Sequence, residues 1–173
     1  MIRSPRGQNT LVTVDAWTGT VYEGEVPELL DLKCDLFRTL GAAAPPEAIL
    51  ATNTSSLPVA RMAAASGRPE RVLGMHFFNP VPLMQLVEVV RTLLASEETV
   101  QAATEFVRGL GKEAVACSDN SGFIVNRLLV PYLLDAVRAY EEGVGSVEDI
   151  DKAIQRGCGY PMGPFTLLDF VGL

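Results

Sequence analysis

An α/β domain followed by an all-α segment is the fold class this sequence predicts, and three observations predict it. Short apolar runs of strand character alternate with helix-periodic stretches between residues 27 and 118. Beyond residue 118 the strand-like runs stop and only helical periodicity continues. Apolar residues make up 48% of the 173 residues and charged residues 20%, a composition that buries a sizeable core.

Residues 1–26 are short of helix formers and read as strand and turn. Thr10 to Val14 alternates, Gly19 turns the chain, and Thr20 to Tyr22 returns. From Pro27 the pattern is helical: Leu29, Leu32, Leu36, Phe37 and Leu40 recur at helix spacing, with Gly41 as the stop. Pro45-Pro46 breaks the chain, and Ala48 to Thr52 forms a short buried strand. Leu57-Pro58 opens a helix to Ala65, and Val72–Phe77 and Leu86–Val90 are strands. Val100, Ala103, Phe106, Val107 and Leu110 mark another helix, with Ala114 to Cys117 a strand after it. Phe123 to Glu142 is one long apolar-periodic stretch in which Pro131 predicts a kink. Ser146 to Asp149 resembles a capping box for a helix over 147–156, and Pro164 to Phe170 begins a last helix.

Charge and composition exclude several classes of function. Fourteen Lys and Arg face 21 Asp and Glu, so the net charge of −7 repels a phosphate backbone and argues against nucleic acid. Three separated cysteines without a CxxC give neither a disulfide framework nor a zinc ribbon, and fit a reducing cytoplasm. A single histidine, His76, rules out sites that need two His ligands, and no metal is expected. No apolar run approaches the ~18 residues of a membrane span, and residues 1–17 do not read as a secretory signal.

The chemistry concentrates in a few places. His76 lies in GMHFFNPVP and Glu88 in LVEVV, a carboxylate inside an apolar strand. The link over residues 78–85 is too short for a helical crossover, which takes about a dozen residues, so the two strands pair antiparallel. His76 and Glu88 can then face each other, the usual way to hold an imidazole in one tautomer and stabilise its protonated form. Asn53-Thr54-Ser55-Ser56 follows the strand at Ala48–Thr52, either at a ligand-binding sheet edge or as the N-cap of the next helix. Asn126 is a polar residue among apolar ones. Gly109, Gly111 and Ala114 match G-x-G-x-x-A, but they follow a helix and open a strand. That is the reverse of a dinucleotide fingerprint, and the reading is a helix C-cap and tight turn.

Taken in order, PELLDLK, ILATNTSSLPV, GMHFFNPVPLMQLVEVV, LGKEAV, SGFIVNRLLVPYLLDA and GYPMGPFTLLDFVGL resemble the NAD-dependent 3-hydroxyacyl-CoA dehydrogenases, including 3-hydroxybutyryl-CoA enzymes. The resemblance implies a partial Rossmann-type sheet with its first strands missing, followed by the start of an all-α dimerisation domain. Its expected bounds are 27–118 for the C-terminal part of the NAD-binding domain and 119–173 for the helical part. It implies His76 as the base for the substrate's 3-hydroxyl and Glu88 as its orienting carboxylate. Ser55 and Asn126 would bind substrate, and Glu28, Lys33, Ser55 and Asn79 would line the NAD site. It further implies an acyl-CoA substrate, a homodimer through the helical domain, and a cytoplasmic role in fatty-acid β-oxidation or butyrate metabolism. The family's opening strand and G-x-G-x-x-G loop have no counterpart here, so the chain is expected to be truncated at both ends and inactive alone. The alternative is a non-enzymatic remnant or dimerisation fragment. Residues 1–24 resemble instead the end of the swivelling domain of phosphoenolpyruvate-utilising enzymes, without its histidine.

Overall fold

The computed structural model describes residues 12–15, 20–23 and 27–172, with side chains described from Leu30 onward. The expected turn at Gly19, Thr10 of the first expected strand, and the side chains of Glu28 and Leu29 lie outside the described residues. The chain divides into two compact units, one ending at Ile124 and the other beginning at Val125.

In the first unit, strands β1 (Val12–Asp15) and β2 (Thr20–Glu23) pair antiparallel. Helix α1 (Pro27–Ala43) leads to β3 (Leu50–Thr52), then α2 (Val59–Ala65), a single 3-10 turn, and β4 (Val72–Phe77). Strand β5 (Leu86–Arg91), helix α3 (Glu97–Gly109) and β6 (Glu113–Ser118) complete it. The sheet order is β3-β4-β5-β6; β3 and β4 are parallel, β4 and β5 antiparallel, β5 and β6 parallel. The antiparallel central pair follows from the short link, and the parallel outer pairs from the helical crossovers.

Each face of the sheet carries one apolar cluster, because alternate residues of a strand point to opposite faces. Leu73, Val87 and Val89 pack with Ala103 and Val107 of α3. Leu50, Val72 and Val90 pack with Cys34 and Phe37 of α1, Val59, Met62 and Ala63 of α2, and Phe123. Gly74 lies on this second face; a Cβ there would meet Val90 Cβ at 2.9 Å and Val59 Cγ2 at 3.0 Å. The missing side chain lets α2 approach the sheet.

The structure corrects the sequence reading of α1 in two respects. Gly41 does not stop the helix, which runs to Ala43. Its reason is contact: a Cβ at Gly41 would lie 1.8 Å from the Ser66 carbonyl oxygen at the end of α2. The helix is also apolar on two sides. Leu30, Cys34 and Phe37 face the core, while Leu32 and Leu36 of the expected apolar stripe are 65% and 52% exposed.

Among its described residues the second unit has helices as its regular elements and no strand: α4 (Val125–Glu141), α5 (Val147–Gly157) and α6 (Pro164–Val171). Pro131 sits inside α4 without ending it. Ser146 caps α5 by accepting the Asp149 N–H at 3.1 Å, and its hydroxyl donates to Asp149 Oδ2 at 2.9 Å. Asp151 accepts the N–H groups of Phe165 and Thr166 at 2.7 and 2.8 Å, capping α6 from the neighbouring helix.

Candidate acid–base site

The register of β4 and β5 sets His76 directly opposite Glu88. Directly opposed residues of an antiparallel pair project to the same face, so the two side chains meet. Nδ1 of His76 lies 2.7 Å from Oε2 of Glu88, and the two residues are 4% and 0% exposed. An ionised carboxylate only accepts hydrogen bonds, so Nδ1 carries the proton and Nε2 presents the lone pair. Glu88 Oε1 also accepts the Ile124 backbone N–H at 3.0 Å. A buried carboxylate is costly unless its oxygens are hydrogen-bonded, and both are. The Phe78 and Phe123 rings pack near the imidazole at centroid distances of 4.4 and 5.5 Å.

The carboxyl ends of the parallel strands β3 and β4 lie at the same edge of the sheet, where ligands bind in such folds. Asn53 Oδ1 accepts the Phe77 N–H at 3.2 Å, tying the loop after β3 to the end of the histidine strand. Lys33 Nζ donates to the Asn53 carbonyl at 2.9 Å and reaches Thr52 Oγ1 at 3.4 Å, and burial lowers its pKa. Ser55 is half-buried in this loop, and Asn79 is exposed just beyond β4. The Lys33 ammonium and the Asn53 carboxamide meet at this loop. An ammonium beside neutral polar groups suits a polar, anionic dinucleotide, and Lys33, Ser55 and Asn79 are the described residues expected to hold it. Asn126 is half-buried on α4, in the helical unit. Among the described residues no group of three His, Cys, Asp or Glu side chains could hold a metal ion.

The Asn53–Ser56 stretch does not cap α2. Thr54 Oγ1 accepts the Ser56 and Leu57 N–H groups in a local hydroxyl turn. The cap of α2 comes from Asp119, whose carboxylate accepts the Val59 N–H at 3.1 Å and the Ala60 N–H at 2.7 Å. Sequence reasoning missed this residue, because capping motifs are local and Asp119 is sixty positions from Val59. It also missed Phe123, whose backbone φ of +50° leaves no mark in the sequence except Gly122 beside it. The glycine pair near residue 110 is the expected turn: Gly111 has a φ of +74° between α3 and β6. Beside the site, Cys117 has its thiol pKa raised to about 11, first by burial and then by the negative charges of Glu88 and Asp119.

An imidazole held by a buried carboxylate, at the end of an α/β sheet where ligands bind in such folds, is an arrangement that can hold and move a proton. The sequence of the 3-hydroxyacyl-CoA dehydrogenase NAD binding domain matches residues 10–120, and that of the C-terminal domain of the same enzymes matches residues 122–173. This chain belongs to the 3-hydroxyacyl-CoA dehydrogenase family. It is 55% identical over 156 residues to the mitochondrial hydroxyacyl-coenzyme A dehydrogenase of Sus scrofa, over 90% of this chain and 49% of that protein. It is 53% identical over 144 residues to a 3-hydroxybutyryl-CoA dehydrogenase of Mycobacterium tuberculosis, over 82% of this chain and 50% of that protein. The crystal structure of 3-hydroxybutyryl-CoA dehydrogenase from Escherichia coli superimposes with a TM-score of 0.79 at 46% identity, covering 82% of this chain and 30% of that one. The chain spans about half the length of the curated relatives it matches.

Proposed function

We propose that this chain supplies the acid–base part of an NAD-dependent dehydrogenase that interconverts 3-hydroxyacyl-CoA and 3-oxoacyl-CoA. The observation that carries this reading is the buried His76–Glu88 contact of 2.7 Å, within a match to an NAD binding domain. Residues 27–118 act as the C-terminal part of that domain and residues 119–173 as the start of the helical domain. His76 Nε2 takes the proton of the substrate's 3-hydroxyl, and returns it in the reverse direction. Glu88 keeps the ring oriented and stabilises the imidazolium. NAD, when bound, supplies the hydride chemistry. Ser55 and Asn126 hold the substrate, and Glu28, Lys33, Ser55 and Asn79 line the coenzyme site. The substrate is an acyl-CoA in fatty-acid or butyrate metabolism, and the working form is a cytoplasmic homodimer assembled through the helical domain. No nucleic acid and no membrane is proposed as a partner, the first on the net charge of −7 and the second on the lack of an apolar run of ~18 residues in the sequence. Among the described residues no helix is long and apolar enough to cross a membrane.

The 173 residues contain no G-x-G-x-x-G between a strand and a helix, the motif that cradles a dinucleotide pyrophosphate. By itself the chain is therefore expected to give no turnover of acetoacetyl-CoA with NADH. Joined to the segments of the M. tuberculosis relative that lie outside the match, it should give turnover. His76→Ala should then lower kcat by about 10²–10⁴-fold. A folded chimaera that binds NADH but leaves acetoacetyl-CoA untouched would favour the alternative, a non-enzymatic remnant.

A further inference from the structure

The turn after β6 holds a residue in a conformation that its side chain opposes. Gly122 has a φ of +75° and Phe123, next to it, a φ of +50°. A bulky residue in the left-handed region is an outlier, and such strain persists only where the surroundings hold it. Three contacts hold Phe123. Its N–H donates to the Asn120 carbonyl at 2.8 Å, its side chain is 3% exposed within the apolar cluster of α1 and α2, and its ring stands 5.5 Å from the His76 imidazole. The left-handed residue also sets the direction of the next peptide, whose Ile124 N–H donates to Glu88 Oε1 at 3.0 Å. The other oxygen of the same carboxylate faces His76 Nδ1.

We propose that Phe123 is a positioning residue for the acid–base pair. Its backbone aims the Ile124 N–H at Glu88, and its buried ring packs beside the imidazole, as that of Phe78 does. Two forces then act on one carboxylate. The Ile124 donor fixes its rotation, so that Oε2 points at Nδ1. The aromatic walls keep water from competing for that bond, which a low local dielectric strengthens. The result is an imidazole locked as the Nδ1–H tautomer with Nε2 free to accept a proton. A glycine at position 123 would adopt the backbone without steric cost, so the phenylalanine is accounted for by its ring.

This inference deepens the proposed acid–base role, but its test needs neither coenzyme nor substrate, so it stands or falls apart from the dehydrogenase activity. The chain has one histidine, so a long-range 1H–15N spectrum of the labelled full chain reports the His76 tautomer without overlap. The wild type should show Nδ1–H as the dominant neutral form and a strongly protected Ile124 amide in hydrogen exchange. Phe123→Val, whose branched side chain resists a left-handed φ, should lose the Ile124 protection and lower the Nδ1–H to Nε2–H ratio about tenfold, the loss of one charge-assisted bond. Phe123→Gly should keep the Ile124 protection and lower the ratio severalfold, and Phe123→Tyr should restore both. An unchanged ratio in Phe123→Val and Phe123→Gly, with native far-UV circular dichroism, would overturn the proposal. So would an unprotected Ile124 amide in the wild type, a result that does not depend on any variant folding.

Discussion

On one face of the four-stranded sheet, Leu73, Val87 and Val89 meet Ala103 and Val107 of α3 in an apolar cluster. On the other, Val72 and Val90 share the surface with Thr52, His76 and Glu88, all buried. The same two central strands build both. The α3 face gains stability in proportion to the area it buries. The other face also takes a carboxylate and an imidazole out of water, a cost that is offset only where hydrogen bonds replace hydration. Around Glu88 they do: Ile124 and His76 serve its two oxygens. The difference shows where this fold exchanges apolar packing for chemistry.

Neighbouring residues on β4 test that contrast most directly. Leu73→Ala opens a cavity on the α3 face and should cost about 2–5 kcal/mol of unfolding free energy in urea. Because the dyad projects to the other face, the His76 tautomer should stay as in the wild type; a shifted tautomer would show that the two faces are not independent. Gly74→Ala acts on the dyad face by overpacking, since the added Cβ meets Val90 and Val59 at 2.9 and 3.0 Å. It should cost about 1–3 kcal/mol, and an unchanged denaturation midpoint would mean that α2 moves away freely.

Smaller effects sharpen the comparison through the long-range caps. Asp119→Ala removes the acceptor for the Val59 and Ala60 N–H groups and should cost about 0.5–2 kcal/mol. Asp119→Asn, which keeps an acceptor, should recover part of that loss. The helical unit uses the same device in Asp151. Partial burial raises its pKa, but the hydrogen bonds from the Thr166 hydroxyl and the Phe165 and Thr166 N–H groups outweigh this and leave it lowered. Its folded value lies below the unfolded one. Its contribution is therefore complete above the ordinary carboxylate range and is lost as pH falls through the folded value. Asp151→Asn should flatten the acid limb of stability against pH, and an unaltered limb would count against the cap. The smallest effect is chemical. With its thiol pKa raised to about 11 from an ordinary 9.0, Cys117 should resist iodoacetamide at pH 8, whereas the exposed Cys158 reacts. Neutral Cys117 also stabilises the fold fully below the unfolded value, and that contribution is lost as pH rises toward 11. Rapid labelling of native Cys117 would contradict the burial.

Much of the fold could be read from local pattern. Val72–Phe77 has the bounds of its apolar run, and the helix over residues 147–157 begins at its serine cap. Where the reading failed, the cause lay beyond the reach of a local pattern. Gly41 looks like a helix stop until Ser66 of another helix is found against it. Leu32 and Leu36 fit the helical period as well as Cys34 and Phe37 do, and periodicity alone does not choose between two apolar sides. The antiparallel pairing of β4 and β5 followed from the short link, a local quantity, whereas the sequence left the opposition of His76 and Glu88 as one possible register, which the structure fixes.

The sequence by itself determined the alternation of strands and helices, the switch to helices after β6, and the family, because these rest on periodicity, turn residues and ordered motifs along the chain. Only the tertiary structure decided what surrounds Glu88. The Ile124 N–H on its second oxygen, the left-handed Phe123 beside the imidazole and the Asp119 cap on α2 each join residues far apart in the chain. Hydrogen-bond direction and backbone φ are properties of three-dimensional packing. Residue type leaves both open until the partners are in place.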